Sequence, residues 1–294
     1  MEAPAAADRL RLAAGAWEAV MLPAQGAAMA RLAWRGEDVL VPLPLGADPT
    51  QAFCGAFVMA PWANRLDRGR LPVTGTLHLL PVNRPEDDTA IHGLSRDHPW
   101  RVADSAPDRA VLEQALDGPA MTPPLPYHYA ARLEVRLDPA GLSLSLALTN
   151  LTEAPFPFGL GWHPFFLRVA ETRLRFRATT LLARDARCLP VAVRPTDGVD
   201  GGAEAYEGLD THFAGWEGSA EIARPGLSLR LTAAGAWGQN LQVFAPAGGT
   251  VLCVEPVSHL PDAPNRPEFA ALGPLVMLPP GGAISGTLRI AAAE

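Results

Sequence analysis

The sequence predicts an all-β protein built as a large antiparallel sandwich, and three observations predict it. Leu133, Val135 and Leu137 alternate with Arg132, Glu134 and Arg136, and after the turn Asp138-Pro-Ala-Gly141 the residues Leu142, Leu144, Leu146 and Leu148 alternate with Ser143, Ser145, Ala147 and Thr149. A period of two puts one face of each strand in the core, so the segment reads as a β-hairpin. The 30 prolines and 27 glycines are about a fifth of the 294 residues, against roughly 12% in average usage, and they interrupt the chain too often for a helical bundle. Helical patterns are scarce. Ala27–Trp34 has helix-forming composition, but it is short and bounded by Pro23, Gly26 and Gly36, and it reads as a strand.

The remaining elements follow the same logic. Leu174 and Phe176 alternate with Arg173, Arg175 and Arg177, the densest cationic run, which reads as a solvated strand face rather than a phosphate site. Leu227, Leu229 and Leu231 alternate with Ser228, Arg230 and Thr232, and Val251–Glu255 and Thr287–Ile290 complete the clear strands. The proline-rich patches Met121–Pro126 and Asp262–Pro267 read as ordered loops, because apolar residues continue around them. Hydrophobic residues make up 48% of the chain. With no internal repeat and no polar linker, residues 1–294 are expected to form a single domain.

Composition removes several function classes. All 24 basic residues are arginine and none is lysine. Schiff-base aldolases, pyridoxal-phosphate enzymes, P-loop nucleotidases and protein kinases each need a lysine amine and are excluded. The absence itself fits a GC-rich genome's preference for arginine. A net charge of −7 and a pI near 5.5 argue against a nucleic-acid partner. No stretch of 18 apolar residues provides a membrane span. The start, MEAPAAADRLR, lacks the basic and apolar regions of a signal peptide. Cys54, Cys188 and Cys253 are odd in number and far apart, as expected of a reduced, cytoplasmic protein without a zinc cluster.

Four places concentrate polar groups among apolar and aromatic neighbours. In Met59-Ala-Pro-Trp-Ala-Asn-Arg65, Arg65 follows an apolar run and Asn64. Its planar fork suits either the oxygens of a polyol or carboxylate, or a structural ion pair. In Ile91-His92-Gly93-Leu94 the glycine permits a positive φ or a close backbone approach, and His92 reads as a ligand or as a satisfied core histidine. Phe156–Phe166 is the densest aromatic stretch. It desolvates His163, lowers its pKa, and holds it in extended backbone ahead of Pro164. In Val251-Leu-Cys-Val-Glu255-Pro256, Glu255 shares a face with Val251 and Cys253, where a carboxylate is either paired or functional. Asp210, in Gly-Leu-Asp-Thr-His-Phe, is a weaker fifth candidate. No HxH, HxxxH or HExxH spacing supports a metal, no GxSxG a serine nucleophile and no GxGxxG a nucleotide cofactor. What is left is cofactor-free acid–base chemistry on a polar small molecule.

At these residues the chain resembles the aldose 1-epimerase, or mutarotase, family. The resemblance runs through Asn64-Arg65, then His92-Gly93 with Trp100, then Thr149-Asn150 after the hairpin, Gly161-Trp-His163-Pro-Phe-Phe166, Asp210 with Phe213, and Glu255-Pro256. It implies a galactose mutarotase-like β-supersandwich that interconverts the α and β anomers of a free hexose without a cofactor or metal. In those terms His163 is the acid that protonates the ring oxygen and Glu255 the base that takes the proton of the C1 hydroxyl. Asn64, Arg65, His92 and Asp210 are the substrate-binding residues. Trp62, Trp162 or Trp216 can wall the sugar or simply pack the core.

Three other readings stand beside this one: a sugar-binding protein without catalysis, a glycoside hydrolase or lyase using Asp210 and Glu255, and an epimerase of an anionic sugar. The last requires a further cation, for which Arg96 and Arg68 are the candidates. The expected partner is a small-molecule sugar. Oligomeric state is open between monomer and weak dimer, and the preferred sugar is not readable.

Overall fold

In the structure, a computed structural model that describes residues 9–293, two large antiparallel sheets carry most of the chain. Residues 1–8, the start of the segment read for a signal peptide, lie outside the described residues.

The nine-stranded sheet is centred on the predicted hairpin. His128–Asp138 pairs with Gly141–Asn150 so that Leu133 faces Leu146 and Leu137 faces Leu142 across the ladder. Its flanks are Arg109–Asp117 on one side and Ala283–Ala293 on the other. Leu227–Gly235, Ser219–Arg224, Arg173–Phe176 and Val199–Gly201 follow outward. The predicted alternation is kept strand by strand. Leu174 and Phe176 are buried while Arg173 and Arg175 stand in solvent against Asp200, confirming a solvated face.

The other sheet has twelve strands. Its central run is Ala28–Trp34, Ala56–Met59, Gly161–Pro164, Val251–Val257, Asn240–Phe244 and Asp210–Ala214. Ala28–Trp34 is thus a strand, as its bounding glycines and proline imply. These central strands are buried along nearly their whole length. Val251–Val257 has no exposed position, and Asn240–Phe244 is buried from Asn240 to Val243. One apolar cluster draws on both sheets, from Leu12, Met21 and Leu32 to Leu112, Leu144 and Ile290.

The proline-rich patches are ordered. Asp262–Pro267 forms 3-10 turns, and Thr122–Pro123 is a cis peptide. Trp62, Trp162 and Trp216 are all buried in the core cluster, so of the two roles open to them the structure shows packing.

Candidate active site

The central strands of the larger sheet bring the candidates together in a row. Phe57 is the ladder partner of His163, and the register set by Gly161 and Val257 continues to place His163 opposite Glu255. Glu255 is in turn the partner of Gln242. Phe57, His163, Glu255 and Gln242 line one cleft of about 160 Å³, which also takes in Asn64, Arg65, His92, Arg96, Phe165, Phe244 and Asp210. Larger depressions of about 610 and 430 Å³ lie on the nine-stranded sheet, lined by residues such as Ala115, Ala130, Ser143 and Thr287, with no buried acid–base group among their linings.

Arg65 and His92 arrive from outside the sheet on a small ribbon. Arg65–Asp67 pairs with Thr89–Ile91, and the Asn64 carbonyl accepts the His92 N–H at 3.0 Å. Both Asn64 and His92 have positive φ. The ribbon is anchored where Gly93 passes Ala60. The Leu94 and Ser95 amides donate to the Ala60 carbonyl, and a Cβ on Gly93 would come within 2.1 Å of that oxygen. Gly93 therefore uses both freedoms expected of it, a positive φ and a close approach. His259 holds the other side, its Nε2 accepting the Ala63 N–H at 3.3 Å while its Nδ1 meets Ser258 Oγ at 3.0 Å.

His163 Nε2 lies 3.4 Å from Glu255 Oε1, and both side chains are buried. Burial, followed by the charges of Arg96 and Arg65, depresses the His163 pKa to about 3. Burial and the nearby Asp210 push the Glu255 carboxyl well above the usual carboxylate range, with Arg65 opposing. Each group is thus driven towards its neutral form, and the two face each other as one coupled pair. Phe57 and Phe165 flank the imidazole at centroid distances of 4.8 and 4.5 Å. His92 meets it edge-on at 5.1 Å, with its own Nδ1 buried and unpartnered and its pKa lowered first by burial.

Arg65 combines both roles open to it. Its Nε donates to Asp87 at 2.9 Å and its guanidinium lies 3.5 Å from Asp210, while it still lines the cleft. Asp210 accepts the Gln242 amide at 2.7 Å. All six candidate residues, Asn64, Arg65, His92, His163, Asp210 and Glu255, therefore converge on one cleft.

Sequence reasoning did not identify Gln242, Asp87 or the phenylalanines Phe53, Phe57 and Phe244, which join Phe165 of the aromatic stretch in walling the cleft. A polar residue inside the apolar strand Asn240–Phe244 was the available signal for Gln242. Of the two arginines weighed for an anion, Arg96 lines the cleft, whereas Arg68 is exposed and paired with Asp88. Asn150 is structural, its amide donating to the carbonyls of Ala154 and Leu278.

His163, Cys253 and Glu255 form a cluster of metal-ligating type, with ligand atoms within 4.8 Å of one another, that no sequence spacing showed. The Cys253 thiol is fully buried, and burial and Glu255 push its pKa far up, so it ligates a metal only at the cost of losing that proton.

Residues 8–291 match the sequence profile of the aldose 1-epimerase family. The Escherichia coli K12 protein YphB, described as uncharacterized, is 27% identical over 257 residues, covering 82% of this chain and 84% of YphB. A solved structure of a candidate aldose 1-epimerase from Escherichia coli K12 superposes with a TM-score of 0.85 at 23% identity, covering 97% of this chain and 98% of that one. A galactose mutarotase-like protein from Clostridium acetobutylicum superposes equally well, TM-score 0.85, at 19% identity over 97% and 95% of the two chains. At these identities the structural matches speak for the fold. No helix among the described residues is long and apolar enough to cross a membrane.

Proposed function

The chain belongs to the aldose 1-epimerase family, and from that premise we propose that it interconverts the α and β anomers of a free hexose by general acid–base catalysis, acting as a single domain in the cytoplasm. The observation that carries this reading is the facing pair itself, His163 Nε2 and Glu255 Oε1 at 3.4 Å within the cleft.

Opening a hemiacetal moves two protons at two oxygens bonded to the same carbon. With the pair's single proton placed on His163, Glu255 takes the proton of the C1 hydroxyl as the C1–O5 bond breaks, and His163 gives its proton to the ring oxygen. The product is the open-chain aldehyde. Rotation about C1–C2 presents the other face, and closure runs the same transfers in reverse. The pair needs one proton between its members and regains its starting state each turn. Two positioned groups of this kind contribute roughly 10²–10⁴-fold each. Arg65 and Asp210, already locked to each other and to Gln242, present fixed donors and acceptors to the ring hydroxyls, joined by Asn64 and His92.

The hydrolase reading loses its second acid here. Asp210 accepts from Gln242 and lies against Arg65, so its oxygens are engaged as acceptors by fixed neighbours. A pure binding protein has no need of two buried titratable groups kept opposite each other at a cost in stability.

Polarimetry of fresh solutions of several aldoses tests the proposal. The protein accelerates mutarotation of at least one, and Glu255→Gln and His163→Ala each reduce turnover by about 10²–10⁴-fold while the fold is retained. Near-normal turnover in Glu255→Gln removes it as the base. Rates at the buffer value for every aldose, with sugar still bound, favour the binding protein.

A further inference from the structure

Arg96 takes no part in the mechanism above. It sits in the short 3-10 turn Ser95–Asp97 that follows the Gly93 anchor, and it is buried. Its guanidinium lies 5.1 Å over the Phe57 ring. Among the described residues it makes no hydrogen bond. Its nearest carboxylate, Asp97, is 3.8 Å away and turned largely to solvent, and its Nε is buried without a partner. The other two buried arginines each hold acceptors, although Arg168 Nη1 is also buried without a partner among the described residues. Arg65 donates to Asp87 and Asn64, and Arg168 to the carbonyls of Gly249 and Pro246. A buried Nε–H with no acceptor is costly unless something else supplies the oxygen.

The order of residues along the cleft says what that something is. Gln242, Glu255, His163 and Phe57 follow one another across the sheet, and Arg96 lies beyond His163, over Phe57. The atoms of a hexopyranose follow one another as C1 hydroxyl, ring oxygen, C5 and C6. With Glu255 at the C1 hydroxyl and His163 at the ring oxygen, Phe57 packs on the C5–C6 edge, and whatever C6 carries meets Arg96. Resting on the epimerase reading, we propose that Arg96 recognises an anionic group on C6, so that the substrate class is hexoses bearing a phosphate, sulfonate or carboxylate there.

The planar fork of Arg96 matches two oxygens of such a group. The charged groups facing His163 are Arg96 and Arg65, with the titratable Glu255 opposite it and His92 and Cys253 beside it. After burial, Arg96 is the largest influence holding the imidazole unprotonated. An anion seated on Arg96 offsets that charge, so the substrate itself helps ready the acid.

The test compares kcat/KM for mutarotation of a neutral hexose with that of its 6-phosphate, its 6-sulfonate and the corresponding hexuronate. This is done in the wild type, Arg96→Gln and Arg96→Lys. At least one anionic form exceeds the neutral sugar by tenfold or more, and which one it is identifies the group. The anionic-to-neutral ratio falls by about tenfold to a hundredfold in Arg96→Gln, the loss of a charge-assisted hydrogen bond, and is partly kept in Arg96→Lys. A wild-type ratio at or below one for all three overturns the proposal, as does a ratio unmoved by Arg96→Gln. Calorimetric titration of the same sugars into the wild type and Arg96→Gln separates this from failure of the epimerase reading. If no sugar is turned over, a C6-anionic sugar that binds the wild type and not Arg96→Gln still sustains the Arg96 site. Absence of binding to the wild type overturns it.

Discussion

Arg132 and Arg96 sit in two regions built on opposite terms. Arg132, on the outer face of the hairpin, is half-exposed and donates to Glu134 at 2.9 Å and to Glu113 at 2.6 Å. Around it the leucines and Val135 point in, the charges point out, and Asp138 closes against Arg289 at 2.7 Å. The cleft of the twelve-stranded sheet reverses each of these choices. Among the described residues, Arg96 is buried without a hydrogen bond and the buried Nδ1 atoms of His92, His163 and His212 have no partner, while Glu255 lies in an all-buried strand. The hairpin region shows what a sheet looks like when stability alone is served. The cleft shows where stability is given up for groups a ligand must complete.

Acid titration is the largest expected effect on that contrast. Burial holds His163 and His259 at about 3 and His212 at about 4, below the ~6.5 of an unfolded imidazole. The unfolded chain therefore binds protons first. The stability tied to these neutral rings is fully present above pH ~6.5 and is lost as pH falls towards 3–4, at about 1.4 kcal/mol per pH unit for each ring. Asp138, held at about 2 mainly by Arg289, contributes only above its unfolded pKa and is lost only below pH ~4. Resistance to urea should thus fall between pH 6.5 and 5, the three rings outweighing the opposite contribution of Glu255. A flat stability across that range would erase the distinction between the two regions.

Leu146→Ala, which hollows the fully buried hairpin core, should cost about 2–5 kcal/mol of unfolding free energy. Turnover per folded molecule should be unchanged. A specific loss of turnover there would mean that the site depends on the far sheet.

Arg65→Ala should raise KM by about tenfold to a hundredfold, the loss of hydrogen bonds to a charged donor, with a smaller fall in kcat. Equal losses in kcat and kcat/KM would make Arg65 part of the proton chemistry instead.

Glu255→Gln should raise the Tm at pH 7 while cutting turnover by about 10²–10⁴-fold. A carboxyl whose folded pKa is raised contributes stability below its unfolded pKa and loses it as pH rises through the folded one. Gln escapes that loss. A lower Tm would show that Glu255 is a structural partner of His163. The smallest effect is expected at Arg132→Ala, no more than about 1 kcal/mol by chemical denaturation, because its ion pairs stand in solvent.

Legibility followed the same division. The hairpin could be read to the residue because a period of two needs only local sequence: Leu133, Leu146 and their neighbours declare their faces without knowing their partners. His163 and Glu255 were legible as anomalies, polar residues in aromatic or apolar runs, and Arg65 and His92 through short motifs. Gln242 and Asp87 were not, since each gains its meaning from a partner on another element, Asp210 or Arg65, that no local pattern links to it. Arg96 was visible only as a spare cation.

The sequence by itself determined the all-β class, the strands with one dry face, the exclusion of lysine chemistry and the residues with no reason to be buried. Those follow from local periodicity and from which side chains exist at all. Only the tertiary structure decided that Phe57, His163, Glu255 and Gln242 form one row, and that Arg68 is a solvated ion pair while Arg96 is buried in the cleft with no hydrogen-bond acceptor for its Nε among the described residues. Strand order and register bring together residues nearly two hundred positions apart, and burial, which sets the value of every charge in the cleft, exists only once both sheets have closed.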